Sequence, residues 1–322
     1  MGFARAFLTA TFSLALATVC AAETATLRVA TQVSGTVNWE LSTITAQRLD
    51  QANGFTLQVQ DVAAGPAAQI AFQAGEADVI VSDWLWVARM RTEGQDYVFI
   101  PYSKAVGALM VRADSSATAL GDLKGKKIGI AGGPIDKSWL ILRAYAQTQG
   151  FDLAAETEQV FGAPPLIYET AKNGETDGMI NFWHFNAKAQ AAGFRPLITV
   201  SEAALALGLS VETPLLGYVV KGAFLREHPE LVHGFATASR AAKTILAQDD
   251  AAWDALRPIM NAATDAEFDA VIQGFRAGIP ADQEVDVASA DKLLKIMAEI
   301  GGTDLLAKTI SLRDGVFFER DR

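Results

Sequence analysis

Gly75–Trp86 reads GEADVIVSDWLW, an apolar run that stops on an aspartate set among tryptophans, and Gly174–Phe185 repeats the pattern as GETDGMINFWHF. Trp84 and Trp183 fall at matched positions in the two segments, and Trp39 and Trp139 each stand near the start of another predicted helix. One tryptophan so placed would serve packing within its own unit, whereas four at matched positions suit two walls facing each other across a cleft. Facing indoles stack on a flat heterocycle or attract an alkylammonium by cation–π interaction, worth ~0.5–2 kcal/mol per contact. Inorganic anions have no use for four indoles, so the pattern favours an organic ligand.

Polar residues cluster around the same positions. Ser34, Gly35 and Thr36 form a short loop ahead of a helix, where backbone N–H groups can face an anionic head with up to ~1 kcal/mol from the helix dipole. Gly132, Gly133 and Ser138 offer the same from a second loop, beside Lys137, the one cation among these loops. Lys137 could pair with a carboxylate or sulfonate, or remain a solvated charge at a helix start. Asp83 fits an ordinary helix N-cap, and the same carboxylate could instead hold an amino group. Asn181, which matches Ser82, is a candidate hydrogen-bonding residue. His184 matches Leu85 on the same wall, but His228 and His233 lie on a distant predicted helix, so no metal site is expected.

The elements that must position these residues come from an internal repeat. Gln73–Gly94 aligns without a gap on Lys172–Gly193, pairing Gly75 with Gly174, Asp78 with Asp177 and Gly94 with Gly193. Each copy reads as a glycine turn, a short apolar strand, a polar residue and a helix closed by glycine. Upstream, 27–55 and 127–151 both read as strand, small-residue loop and helix ending in Gly-Phe. Two α/β units of similar order imply mostly parallel sheets flanked by helices, with ligands gathering beyond the carboxyl ends of the strands.

The chain opens MGFARAFLTATFSLALATVCAA, with Arg5 before an apolar run and small residues after it, the layout of a secretory signal peptide over 1–22. Val19 ahead of Cys20 argues against a lipid anchor. Cys20 is the single cysteine, so the exported chain has no disulfide, thiol nucleophile or Cys-ligated metal. Net charge is −10, and loss of Arg5 makes it −11, which disfavours nucleic-acid binding. No Ser-His-Asp grouping, paired-carboxylate motif or GxxxxGK[ST] phosphate loop is present, and no cofactor is expected.

These features together with VATQVSGTVNW, GEADVIVSD, GDLKGKKIGIAGG (Gly121–Gly133), GETDGMINFW and the segment Val219–Leu246 make the chain resemble the periplasmic substrate-binding proteins of ABC transporters. The similarity is to the nitrate/sulfonate/taurine branch, which includes thiamine-precursor binders. It implies an α/β, two-lobed fold of the type II kind, each lobe a mostly parallel sheet flanked by helices, with the ligand cleft between lobes. The chain would cross between lobes near Val111–Asp114 and Thr213–Gly217, giving lobe one as 24–113 plus 218–322 and lobe two as 114–217. The helical tail from Asp250 onward would pack lobe one, with Trp253 in its core. The implied function is capture of a small organic solute by a periplasmic monomer and delivery to an inner-membrane ABC permease. A periplasmic sensor using the same cleft is the alternative, and an enzyme on the same fold is a further rival.

Overall fold

The computed structural model describes residues 25–281, 284–301 and 312–319, so the expected signal peptide lies outside the described residues. The first unit runs β1 (Ala25–Gln32), α1 (Val37–Ala46), α2 (Leu49–Ala52), β2 (Phe55–Val62), α3 (Gly65–Ala74), β3 (Val79–Asp83), α4 (Trp84–Thr92) and β4 (Tyr97–Ser103). The second runs β5 (Ala108–Arg112), β6 (Lys127–Ala131), α5 (Lys137–Thr148), β7 (Glu158–Gly162), α6 (Pro164–Lys172), β8 (Gly178–Asn181), α7 (Trp183–Ala191), β9 (Phe194–Thr199) and α8 (Val200–Ala206). The chain then returns through β10 (Leu216–Lys221) to α9 (Gly222–Glu227), α10 (Pro229–Gln248), α11 (Ala251–Met260), α12 (Asp265–Ala277) and α13 (Val287–Gly301).

Two five-stranded sheets result, ordered β2-β1-β3-β10-β4 and β7-β6-β8-β5-β9. In each, four strands run one way and the fifth, the strand donated by the other end of the crossing, runs against its two neighbours. The two orders superimpose position by position, which is the sequence repeat expressed as topology. Its glycines are conformational: Gly75 and Gly174 follow α3 and α6 at φ 79° and 76°, a left-handed region that other side chains resist. Its aspartates are also structural. Asp78 accepts the backbone N–H of Arg28 and returns its own N–H to that residue's carbonyl, and Asp177 does both with Lys127. Each thereby ties the turn before the sheet's central strand, β3 or β8, to the neighbouring strand, β1 or β6.

The sheets correct two expectations. β5 lies within the span expected for lobe one, yet it pairs with β8 and β9, so the first crossing is the segment 104–107 rather than Val111–Asp114. Gly107 permits this tight passage: a Cβ there would sit 2.0 Å from the carbonyl oxygen of Asn181. The second correction concerns α13, expected to pack lobe one. It lies against α5, with Ala290, Leu293, Leu294 and Met297 buried, and Lys292 donates to the carbonyl of Gly208 on the return segment. Helix α10 packs on α1 and covers the first lobe as expected, and Trp253 is fully buried there.

Candidate functional site

β1, β3, β6 and β8 all end toward one space between the lobes, where α1, α4, α5 and α7 begin. A cavity of about 250 Å³ fills this space, lined among others by Gln32, Ser34, Gly35, Thr36, Gln69, Ser82, Asp83 and Tyr102 from the first lobe and by Asp136, Lys137, Phe182, Trp183 and His184 from the second. Ligand sites in open α/β sheets form at such carboxyl-terminal crevices.

The loop 33–36 is held by Asn38, whose Nδ2 donates to the carbonyls of Gln32 and Val33. Gly35 donates its N–H to Gln32 at 2.8 Å in a turn where a Cβ would come within 3.0 Å of that oxygen. Ser34, Gly35 and Thr36 therefore line the cleft, but the Gly35 N–H expected to face an anion is already engaged. Thr36 lies 3.4 Å from the Tyr102 hydroxyl through Oγ1. Tyr102 is fixed from behind by a buried network. Glu40, fully buried, lies 2.6 Å from Lys243 and accepts hydrogen bonds from Tyr218 and Ser239, while the Lys243 ammonium sits 4.7 Å from the Tyr102 ring centroid. Burial and the nearby Glu40 carboxylate keep the Tyr102 phenol well above its ordinary pKa, so it stays protonated.

Asp83 is the N-cap of α4, accepting from the Trp86 N–H at 2.8 Å, and its side chain also borders the cavity. Both roles foreseen for this position are geometrically compatible. The second lobe mirrors it with a residue that sequence reasoning missed. Asp136 caps α5 through one oxygen that accepts from the N–H groups of Ser138 and Trp139. Burial raises its carboxyl pKa and Asp83 across the cleft raises it further, against lowering by Lys137 and the two N–H donors. The signal for Asp136 was present in PIDKSW, an aspartate two residues after proline at a helix start, but the neighbouring glycines drew the reading instead.

Several expected site residues lie elsewhere. Ser138 gives its N–H to Asp136 and does not line the cavity. Gly132 and Gly133 form the bend before α5 at φ 96° and 129°, with the Gly132 N–H bonded to Gly162, and neither lines the cavity. Asn181 uses its amide within the lobe, donating to Pro164 and accepting from Phe182. Trp84, at 0% exposure, packs on Phe317 from the distant carboxyl-terminal segment. Trp139 packs on Phe161 and Trp39 on Trp253, so these three indoles are core rather than cleft walls. Lys137 does line the cavity.

Trp183 is the one tryptophan at the cleft. It leans across the lobe boundary, meeting Trp39 edge to face with centroids 6.0 Å apart and pressing on α12 at Gly274, where a Cβ would fall 2.7 Å from its ring. Lys188, one turn further along α7, donates to the carbonyls of Met260 and Asn261 at the end of α11, so α7 also holds the lobes together. Beside Trp183, His184 is 7% exposed, and neither ring nitrogen has a hydrogen-bond partner among the described residues. Burial, aided by the Lys188 charge, lowers its pKa from 6.5 to about 3, so the imidazole is neutral. Among the described residues no His, Cys, Asp and Glu group has the arrangement of a metal site, and no helix is long and apolar enough to cross a membrane.

The model of the family described as NMT1/THI5 like matches residues 51–252. The chain belongs to that family. No curated protein matches this NMT1/THI5-like chain. Among solved structures it is similar to the alkanesulfonate-binding protein SsuA from Xanthomonas axonopodis pv. citri bound to MOPS, at TM-score 0.70 and 18% identity over 92% of this chain and 99% of that one. It is similar also to the periplasmic aliphatic sulphonate binding protein SsuA from Escherichia coli, at TM-score 0.70 and 17% identity over 92% and 94%. A desulfurization enzyme, DSZB, shares the fold at TM-score 0.58 and 17% identity over 89% and 94%. At these identities the likeness is one of fold, and it matches the two-lobed architecture expected from the sequence.

Proposed function

We propose that this protein is a periplasmic solute-binding protein that captures a small organic molecule between its lobes and delivers it to an ABC permease. The observation that carries the reading is the cavity at the carboxyl ends of both sheets, where each lobe contributes polar groups and the second adds the half-buried indole of Trp183. Closure around a solute at such a boundary excludes water and converts binding energy into a docking-competent shape. Family membership and the fold shared with sulfonate-binding periplasmic proteins support it. Binding is favoured over catalysis because the cleft histidine hydrogen-bonds to no hydroxyl among the described residues, and the only cysteine, Cys20, falls in the expected signal peptide.

The test is a thermal-shift screen of the chain from Glu23 onward against organic amines, heterocycles, carboxylates and sulfonates, with tryptophan fluorescence on each hit. A solute that raises the melting temperature and changes emission supports the reading. A broad screen without a hit removes it.

A further inference from the structure

We propose that the captured solute is an organic cation, its charged nitrogen held between Asp83 of the first lobe and Asp136 of the second, with His184 hydrogen-bonding a neighbouring polar group. The inference rests on the solute-binding reading and narrows it to a chemical class.

Charge is the first ground. The side chains lining the cavity include two carboxylates, Asp83 and Asp136, and one ammonium, Lys137, a balance of −1. Among the described residues, no arginine belongs to that lining. An anionic solute would add a third negative charge to a partly desolvated space, whereas a cation between the carboxylates relieves their mutual repulsion.

Helix geometry is the second. The N-termini of α4 and α5 would ordinarily attract an anion, but Asp83 occupies the Trp86 N–H and Asp136 occupies those of Ser138 and Trp139. Each aspartate commits one oxygen to its cap and keeps the other without a hydrogen-bond partner among the described residues. Because the two sit on different lobes, a cation that bridges them is held only when the lobes approach, which couples charge recognition to closure.

His184 is the third and independent ground. It is more than nine-tenths buried, lines the cavity, and leaves both ring nitrogens unpartnered. A buried polar group left so is costly until a ligand supplies the partner. Being neutral, the ring offers one donor and one acceptor and brings no positive charge to offset the two carboxylates, and its acceptor nitrogen can take an N–H from a cationic or neutral solute. The rings of Trp183 and Tyr102 complete a lining suited to cation–π contact.

The experiment uses three probes with one ring and different charge: benzylamine, benzyl alcohol and benzenesulfonate. Each is titrated by tryptophan fluorescence and melting temperature into the chain from Glu23 onward, wild type, Asp83→Asn and Asp136→Asn. Asparagine keeps an acceptor for each helix cap, so folding survives while the charge is removed. Benzylamine should bind at least tenfold more tightly than benzenesulfonate, and each variant should lose benzylamine affinity by roughly 10- to 100-fold, the worth of a hydrogen bond to a charged group. A purely structural role for the aspartates would lower the melting temperature and weaken all probes alike. Benzenesulfonate binding as tightly as benzylamine, or benzylamine binding unchanged in both variants, overturns the assignment. If the broader screen returns only neutral or anionic solutes, the cation class fails and solute binding stands. If it returns nothing, both fail.

Discussion

His184 makes the cleft's enclosure measurable through pH. In the unfolded chain its imidazole titrates near 6.5, and in the folded protein near 3 because burial and the Lys188 charge disfavour the cation. Between those values the unfolded state binds a proton that the folded state does not, so stability falls as pH drops below 6.5. At pH 5 the lowering is 1.5 pH units below the unfolded value, and at 1.36 kcal/mol per unit this removes about 2 kcal/mol relative to pH 7.5. Other groups titrate over the same range, so the quantity to read is the difference between wild type and His184→Gln, which lacks the ionisation. Urea denaturation of both proteins at pH 7.5 and pH 5 should show the wild type losing about 2 kcal/mol more than the variant. Parallel losses within ~0.5 kcal/mol would mean that His184 protonates freely, and the enclosed, neutral imidazole would be refuted.

Three further outcomes follow from the packing. Lys243→Met strands the buried Glu40 carboxylate and should cost about 3–5 kcal/mol by urea denaturation, with added Glu40→Gln recovering a large part; a loss under ~1 kcal/mol would show the pair to be solvated. Gly274→Ala gains up to ~1 kcal/mol of helix propensity, but its methyl collides with the Trp183 ring, so we expect a net loss of up to ~2 kcal/mol and an altered emission spectrum; a stabilised protein with unchanged emission would contradict the contact. Trp84→Ala should cost about 3–5 kcal/mol yet leave solute affinity within threefold, whereas Trp183→Ala should weaken binding with the smaller stability loss; the reverse pattern would exchange their roles.

The repeat was legible because its determinants are local: a left-handed glycine after α3 and α6, an aspartate tying the turn before the central strand to the neighbouring strand, a strand that ends where a helix begins. The tryptophan environments were not legible, since Trp84 and Trp183 hold the same helix position and differ only in what distant chain covers them. Phe317 closes over the first, while the second meets Trp39 across the lobe boundary. The first crossing was misplaced for a similar reason. YSKAVGALMV carries no strong breaker between β4 and β5, and the decisive feature is the close approach of Gly107 to Asn181. Asp83 was found because its N-cap role has a local signature, and its partner Asp136 was passed over although it carries the same one. His184 could be placed near the wall by the repeat, but its lowered pKa comes from burial and from the Lys188 charge, neither of which the repeat reveals.

The claim that the interlobe cavity is the solute site is tested most directly by filling it. Ser34 is exposed and lines the cavity, so Ser34→Trp places an indole in the cleft without displacing a buried side chain. Calorimetric titration of the strongest screening hit into wild type and Ser34→Trp, at matched melting temperature, should show binding to the first and at least a tenfold loss in the second. Equal affinity for both proteins would place the solute elsewhere and contradict the account.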